Sequence, residues 1–234
     1  MKVAVLIPSR DRYAQLVVAV TSVLNTSSAD VLVYVDEDQY RQYQFVLRSL
    51  DPKRVKVLYG DRIGPVASAN ALVKSFPGYD VYGLITDDSA ITTPGWDQWT
   101  LEAIARFPGR IAVVSPHHPH GYHVDMPFVS KEWIELVGWY ACPLMKHYAW
   151  PIITGLIGEM TGIVHASESA FHIEHAYDPN ANQDVRAKDY EAFFSFVSRD
   201  LPIVVGTLRK DMYESKTVTK TQPIEGLGYK AVAS

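Results

Sequence analysis

The feature that most constrains the fold is an alternation, through the first half of the chain, of short β-branched runs with segments of helical periodicity. The runs are nearly all apolar, as expected of strands that are covered on both faces. Between them, segments 16–24 and 66–73 carry apolar residues at helical spacing. Strand–helix–strand alternation of this kind predicts an α/β domain with a mostly parallel sheet flanked by helices. The predicted strands are Val3–Ile7, Val31–Val35, Val55–Tyr59, Val81–Thr86 and Ile111–Ser115.

The second half of the chain follows a different pattern, which begins after Pro116. Histidine, proline, glycine and aromatic residues come first, and helical and extended segments follow. This change divides one domain into halves at 1–115 and 116–212, with a polar tail at 213–234 that we expect to be flexible. The predicted elements of the second half are helices near 131–140, 145–159 and 185–199, and a strand pair within Gly162–His175.

Charge and cysteine content exclude several classes of protein. The chain has 22 Lys and Arg against 26 Asp and Glu, a formal net charge of −4, and so lacks the basic footprint of a dedicated duplex-DNA-binding protein. Cys142 is the only cysteine, which rules out an intrachain disulfide and a thiolate metal cage. The apolar run after Met1 is too short for a signal peptide, and no later run is long enough to span a membrane. We therefore expect a cytoplasmic protein.

Polar residues follow four of the five predicted strands. In an open α/β sheet, ligands bind outside the carboxyl ends of the strands, so these residues should meet at one rim. The order of elements thus predicts a ligand site before any motif is considered. The residues that follow the strands are Pro8, Ser9 and Arg10; Asp36, Glu37 and Asp38; Asp61 and Arg62; and Asp87, Asp88 and Ser89.

The adjacent carboxylates of Asp87 and Asp88 are the most distinctive of these groups. Like charges at a strand end repel each other unless a cation lies near them. A hard divalent ion would bind both with oxygen ligands and keep open positions for phosphate. Capping of the next helix by Asp88 and Ser89 is the alternative interpretation. The residues alone leave both open.

Four segments together resemble the GT-A glycosyltransferases, especially the family-two type. Ile85–Ser89 looks like the aspartate-pair motif of that family, and Val3–Arg12 resembles its first strand and nucleotide-binding turn. Asp36 matches its base-recognising aspartate, and Gly64–Asn70 is similar to the segment that opens its third helix. The four segments follow the order and spacing of the family, and cover about the first hundred residues.

The resemblance implies a GT-A fold, with 1–115 as the nucleotide-sugar-binding half and 116–212 as the half that completes the metal site and holds a hydroxyl acceptor. It implies that Asp36 accepts a hydrogen bond from a pyrimidine, that Asp87 approaches the ribose, and that Asp88 binds Mn²⁺ or Mg²⁺. The cation would stabilise the departing nucleoside diphosphate. The other residues that it assigns to the donor are Pro8, Ser9, Arg10, Arg12, Asp38, Gly64 and Asn70.

One position departs from the family's pattern. Ser68, two residues before Asn70, stands where the resemblance would place an arginine. The charge of that arginine must then come from elsewhere, and Arg10, Arg12 and Arg62 are the candidates.

Histidines of the second half are candidates for completing the metal site. GT-A enzymes commonly use such a residue, and His175 looks like it, with His172 as the rival. Alternation along a strand puts these two on opposite faces, so only one should point at the site. The His117–His123 segment has four histidines; a second metal site there is one interpretation, and lining of the acceptor side is the one we favour.

The catalytic base is the least constrained assignment. An inverting enzyme needs a group that takes the acceptor proton. Lys188–Phe193 resembles the family's Glu-Asp helix segment, which makes Asp189 the candidate base. That register puts the metal histidine before the base helix instead of after it. If the helix near 145–159 is the equivalent of the family's base helix, His147 becomes the candidate. A retaining mechanism, which needs no such base, is a further alternative. Asp189 can also be a carboxylate in the first turn of a helix, with an electrostatic role only.

The sequence therefore favours a metal-dependent glycosyltransferase that uses a UDP-sugar. A nucleotidyltransferase is disfavoured because the turn at Pro8–Arg12 has no glycine, and a non-catalytic binding module because acidic residues that need a metal would be costly to assemble. No dinucleotide-binding glycine motif or P-loop occurs. Thr93–Trp96 after the acidic pair resembles compact enzymes of bacteria and phages, whose acceptors range from glycans to modified nucleobases in DNA.

Overall fold

The computed structural model describes residues 1–116, 124–166, 171–175 and 183–214. Among these residues, no helix is both long and apolar enough to cross a membrane. The strands are β1 (Val3–Ser9), β2 (Asp30–Asp36), β3 (Val55–Gly60), β4 (Val81–Leu84), β5 (Ser89–Ile91), β6 (Val113–Ser115), β7 (Phe128–Ser130), β8 (Val164–Ala166) and β9 (Ile173–His175). The helices are α1 (Tyr13–Thr26), α2 (Tyr40–Leu47), α3 (Pro65–Ser75), α4 (Trp96–Ala105), α5 (Lys131–Val137), α6 (Trp150–Thr161), α7 (Gln183–Arg199) and α8 (Leu201–Glu214).

A seven-stranded sheet in the order β3-β2-β1-β4-β7-β6-β8 organises the domain. Strands β1 to β4 are parallel, and β7 is antiparallel to both of its neighbours. The chain runs outward from β1 to β3 and then returns to β4 on the other side of β1. This reversal places a topological switch point between β1 and β4, which is where open α/β sheets bind ligands.

The buried runs of the sequence supply two cores, one on each face of the sheet. Val5 and Ile7 of β1 pack with the buried face of α1, while Ala4 and Leu6 pack with that of α3. All four are fully buried, and each large apolar side chain removed from water contributes about 1.5–3 kcal/mol. Successive residues of a strand point to opposite faces, so only a nearly continuous apolar run can fill both cores.

The predicted parallel strands of the first half are confirmed as β1 to β4, and the fifth as the shorter β6. The strand pair predicted within Gly162–His175 is wrong. The two strands exist, but β8 pairs with β6 in the main sheet and β9 pairs with β5 in a separate two-stranded sheet. The sequence pattern shows that each segment is extended, whereas the partner is decided by distant strand edges. Elements β5, β7, α2, α4 and α8 were not predicted.

The close approach of β4 and β7 depends on a glycine. Gly83 of β4 lies opposite Phe128 of β7, and a Cβ atom added to Gly83 would lie 2.0 Å from the ring of Phe128. That ring is fully buried, with its centroid 5.2 Å from those of Trp96 and Phe171. The glycine therefore lets an aromatic cluster pack directly against the strand that carries the acidic pair at its end.

Candidate functional site

The candidate site lies where β2, β1 and β4, three neighbouring strands, end at the same rim of the sheet. The turn after β1 occupies the middle, and carboxylates follow the strands on either side of it. Asp11, inside this turn, has a φ of +58°, a left-handed conformation that aspartate tolerates better than most residues. Its N–H donates to Gln39 Oε1 at 2.8 Å. The arginines on either side of Asp11 then reach opposite neighbours.

On the β4 side, Arg12 binds both members of the acidic pair. Its Nη1 donates to Asp88 Oδ2 at 2.5 Å and to Asp87 Oδ1 at 3.4 Å. The carboxylate side chains are only 8% and 9% exposed, against 31% for that of Arg12. A positive charge thus lies beside the pair, as the repulsion between two adjacent carboxylates requires.

A series of hydrogen bonds positions the carboxylate of Asp87. Ser9 Oγ donates to Asp87 Oδ2 at 2.7 Å, so the hydroxyl of Tyr43, 2.8 Å from Ser9 Oγ, must donate to it. The same tyrosine oxygen accepts the N–H of Arg12 at 3.1 Å. Burial raises the pKa of Tyr43, which keeps its proton in place. The relay connects the first turn, α2 and the acidic pair.

The positive charge of Arg12 does not balance the negative charges around Asp87. Burial raises its pKa, although the hydrogen bond from Ser9 and the charge of Arg12 act in the opposite direction, and the charge of Asp88 raises it further. These three charged side chains carry two negative charges for one positive charge. Their oxygen donors suit a hard divalent cation, so the residues present fit the metal that the fold family implies.

On the β2 side, Arg10 binds a second set of carboxylates. Its Nη1 donates to Asp36 Oδ2 at 2.6 Å, and its two terminal nitrogens donate to the two oxygens of Asp38, each at 2.8 Å. Asp36 is buried, whereas the side chain of Asp38 is 60% exposed. The hydrogen bond from Arg10 lowers the pKa of Asp38, and Asp38 and Asp36 in turn raise that of Arg10. Arg10 thus binds the carboxylate of Asp36, the residue predicted to recognise the base.

A cavity of about 520 Å³ opens beside Asp38. The rings of Tyr40 and Tyr59 lie on it, with centroids 4.7 Å apart and an edge-on arrangement. Aromatic faces next to a carboxylate and an arginine provide both stacking surface and hydrogen-bond partners for a planar ring. The lining residues are Glu37, Asp38, Tyr40, Arg41, Gln42 and Tyr59.

Two residues predicted to bind the donor lie against the second half of the chain, and their donor role stays a prediction. Asn70 Oδ1 accepts the N–H groups of Tyr140 and Ala141 at 3.0 and 3.1 Å, and its Nδ2 donates to the carbonyl of Ala141 at 2.8 Å. Gly64, with a φ of +81°, begins α3, and a Cβ atom there would lie 3.5 Å from the carbonyl oxygen of Lys146. The start of α3 therefore positions the segment between α5 and α6.

Asp189, the predicted base, holds the same segment from the other side. Its side chain is 1% exposed and accepts three backbone N–H groups, from Lys146 at 2.8 Å, His147 at 2.7 Å and Tyr148 at 2.5 Å. A carboxylate that binds three consecutive amides fixes the shape of a loop. The catalytic role of Asp189 stays a prediction, and its contacts describe a structural one.

His147 lies on the segment that Asp189 holds. Its imidazole packs 4.5 Å from the ring of Tyr148, between ring centroids. Desolvation by the surrounding protein lowers the pKa of His147; the charge of Asp189 opposes this shift and that of Arg12 adds to it. The imidazole is therefore within electrostatic range of the guanidinium that binds the acidic pair, and it is neutral at neutral pH.

The two candidate metal histidines fall at opposite ends of β9. The backbone of His175 pairs with Ser89, the residue after Asp88. The N–H of His172 donates to Thr93 Oγ1 at 3.0 Å, beyond the far end of β5. This register supports His175, whose side chain is outside the described part, as is the His117–His123 segment. Among the side chains that are described, no group of three or more His, Cys, Asp or Glu forms a metal-binding cluster.

Tyr43 is the residue of this site that sequence reasoning missed. It lies on α2, which follows the second strand too closely and is too short to show a clear helical pattern. No sequence signal would have shown that the hydroxyl contacts Ser9.

The fold is that of nucleotide-sugar glycosyltransferases of the GT-A class. Over 89% of this chain and 69% of the other, it matches a mannosyltransferase (PcManGT) from Pyrobaculum calidifontis, solved with GDP-Man and Mn²⁺, with a TM-score of 0.64 and 11% identity. Over 85% and 79%, it matches glucosyl-3-phosphoglycerate synthase from Mycobacterium tuberculosis, solved with Mn²⁺, UDP and glucosyl-3-phosphoglycerate, with a TM-score of 0.61 and 12% identity.

A third similar structure is TarS from S. aureus, with a TM-score of 0.56 and 13% identity over 92% of this chain. The chain spans 44% of the length of that structure. No protein-family model and no curated protein matches the sequence. At these identities the similarity shows the fold alone, and the GT-A fold predicted from the sequence is confirmed.

Proposed function

We propose that the chain is a divalent-cation-dependent glycosyltransferase, which moves a sugar from a nucleotide diphosphate donor to a hydroxyl acceptor. The observation that carries this proposal is the convergence of two carboxylate clusters and the Ser9–Arg12 turn at the switch point of a GT-A sheet. The GDP-Man, UDP and Mn²⁺ in two of the similar structures support the same kind of ligand.

In this proposal each of the two carboxylate clusters binds a different part of the donor. Asp36, with Asp38 beside the tyrosine-lined cavity, receives the base of a UDP-sugar, and Asp87 receives the ribose. Asp88, with His175 from β9, holds Mn²⁺ or Mg²⁺. A cation held there would supply positive charge to stabilise the departing nucleoside diphosphate.

The acceptor lies on the side of the second half, where the segment 139–149 meets the rim. Asp189 was the sequence candidate for the proton acceptor, but three backbone amides engage its oxygens. We assign it to positioning the segment, and we assign proton transfer to His147, whose lowered pKa keeps it neutral. A glycan hydroxyl suits the net charge of −4 better than a modified base in DNA does.

A thermal unfolding series with UDP-glucose and GDP-mannose, each with Mn²⁺ or with a chelator, tests the donor and the metal together. At ligand concentrations near 100 times Kd, binding adds about 2.7 kcal/mol to the free energy of unfolding. For a chain of this size that corresponds to a rise in Tm of roughly 5–10 °C. We expect this rise for UDP-glucose with Mn²⁺, and its loss in chelator.

Asp88→Asn and a matched control variant test whether the metal-dependent rise in Tm depends on Asp88. Asp88→Asn removes a carboxylate charge from the rim, whereas Glu102→Gln makes the same change on the exposed face of α4. We expect only the first to lose the metal-dependent shift. Release of nucleoside diphosphate supports sugar transfer, and release of pyrophosphate would identify a nucleotidyltransferase. A donor-induced shift that is equal with Mn²⁺ and with chelator would refute the metal role.

A further inference from the structure

The first turn carries two arginines that both pair with carboxylates at the donor rim. β1 lies between β2 and β4, so residues of its turn have acidic neighbours on both sides. Arg10 reaches Asp36 and Asp38, while Arg12 reaches Asp87 and Asp88. Each guanidinium therefore contacts side chains that the proposed function assigns to the donor and its cation.

The contacts of Arg12 place a positive charge where the acidic pair needs one. Its Nη1 lies 2.5 Å from Asp88 Oδ2 and 3.4 Å from Asp87 Oδ1, and both carboxylates are more than nine-tenths buried. A dication bound to the same oxygens would repel the guanidinium at short range. Arg12 and the cation therefore compete for Asp88.

Arg12 also has somewhere else to bind once it is displaced. Its side chain is 31% exposed on the rim, and its backbone N–H stays fixed by the hydroxyl of Tyr43. A guanidinium is well suited to phosphate oxygens because its planar N–H groups match their geometry.

We infer that Arg12 is an internal counter-ion, which neutralises Asp87 and Asp88 in the empty protein, yields Asp88 to the cation, and then binds the donor diphosphate. This inference rests on the proposed function and goes beyond it, since it gives one residue opposite effects on the metal and on the nucleotide. Removal of the guanidinium frees Asp88 for the metal but deprives the diphosphate of a partner.

Isothermal titration of wild type and Arg12→Gln, first with MnCl₂ alone and then with UDP at saturating Mn²⁺, tests the inference. We expect Mn²⁺ alone to bind about tenfold more tightly to the variant, the change that about 1.4 kcal/mol of lost competition produces. We expect UDP to bind about tenfold or more weakly, because a charge-assisted hydrogen bond to phosphate is lost. The two affinities should thus change in opposite directions.

Arg10→Gln is the matched control, since it removes the same charge from the same turn without a contact to Asp87 or Asp88. A gain in Mn²⁺ affinity that both variants share measures the effect of removing any positive charge near the rim. Only an additional gain in Arg12→Gln, beyond that of Arg10→Gln, supports the inference. Arg12→Lys keeps the charge, so it should keep the weaker metal affinity of wild type. Where Arg12→Gln does not fold, Arg12→Met, which also removes the charge, takes its place; tighter Mn²⁺ binding than in wild type then supports competition by charge, and unchanged binding refutes it.

The failures of the two proposals are distinguishable. If wild type binds UDP and Mn²⁺ but Arg12→Gln binds Mn²⁺ alone no more tightly, the counter-ion role is refuted and the glycosyltransferase proposal stands. If wild type binds neither Mn²⁺ nor UDP, the proposed function itself fails.

Discussion

Replacement of Asp189 separates a structural carboxylate from a catalytic one. In the structure its two oxygens accept three backbone N–H groups from the segment before α6, at 2.5–2.8 Å, and the side chain is 1% exposed. Asp189→Ala removes all three acceptors. Hydrogen bonds to a charged group contribute about 1.5–3 kcal/mol each, but three bonds that share one acceptor do not add in full. We expect a net loss of about 3 kcal/mol.

That loss corresponds to a fall in Tm of roughly 6–12 °C for a chain of this length. Asp189→Asn should cost about half as much, because its amide oxygen can still accept two N–H groups while its NH₂ faces the third. Thermal unfolding gives the free energies, and steady-state assays of nucleoside diphosphate release give kcat. Glu191→Gln, an exposed change on the same helix, is the control.

The positioning role predicts that stability and kcat fall together along the series from wild type through Asp189→Asn to Asp189→Ala. A catalytic base would behave differently. If Asp189→Asn unfolded at the wild-type temperature but lost kcat by about a thousandfold, the magnitude expected for removal of general-base catalysis, the structural assignment would be wrong and the sequence prediction of a catalytic Asp189 would be supported.

Three further predictions concern His147, Gly83 and Cys142. Because desolvation holds the pKa of His147 below the usual value of about 6.5, the imidazole is protonated only in acid. The value of kcat/KM should therefore fall as the pH drops through that lowered pKa. His147→Gln should remove this acid-side fall in the pH profile and lower kcat about 100-fold or more. Gly83→Ala places a methyl group against Phe128 and should lower the free energy of unfolding by about 1–3 kcal/mol. Adding Phe128→Leu should restore part of the lost stability. If Gly83→Ala unfolded at the wild-type temperature, this packing would be contradicted. Burial raises the pKa of the Cys142 thiol to about 12, so a thiol reagent should label the native chain at the rate of global unfolding, and rapid labelling of folded protein would show that the thiol is accessible.

The part of the structure that the sequence predicted best is the part where the signal is local. Each run from β1 to β4 is apolar along its own length, and the helices between the strands show their own period. Parallel strands joined by helices must end at one rim, so the convergence of Ser9, Asp36 and Asp87 followed from order alone. The partners of β8 and β9 did not follow, because three-residue strands contain too little pattern to select a distant edge.

Asn70 and Asp189 show which contacts a side-chain motif does not reveal. Both are polar residues at positions that resemble a motif, yet both bind backbone N–H groups of one segment that is far from them in the sequence. Every non-proline residue has such an N–H group, so no side-chain pattern can mark which amides a carboxylate or amide will bind. Their shared partner shows that the second half is fixed to the first by polar contacts with its main chain.

The first turn shows a limit of a different kind. From the sequence, carboxylates and arginines were each expected at the rim as ligand contacts, but opposite charges delivered to the same rim also attract each other. In the structure Arg10 and Arg12 are bound to acidic residues that the proposed function assigns to the donor and its cation. In the proposed function, part of the binding free energy of the donor and cation would be used to break these ion pairs, and part would return when the guanidinium of Arg12 contacts phosphate. The affinity of such a site is a difference between two sets of contacts, so it should depend on ionic strength less steeply than the number of charges at the rim would indicate.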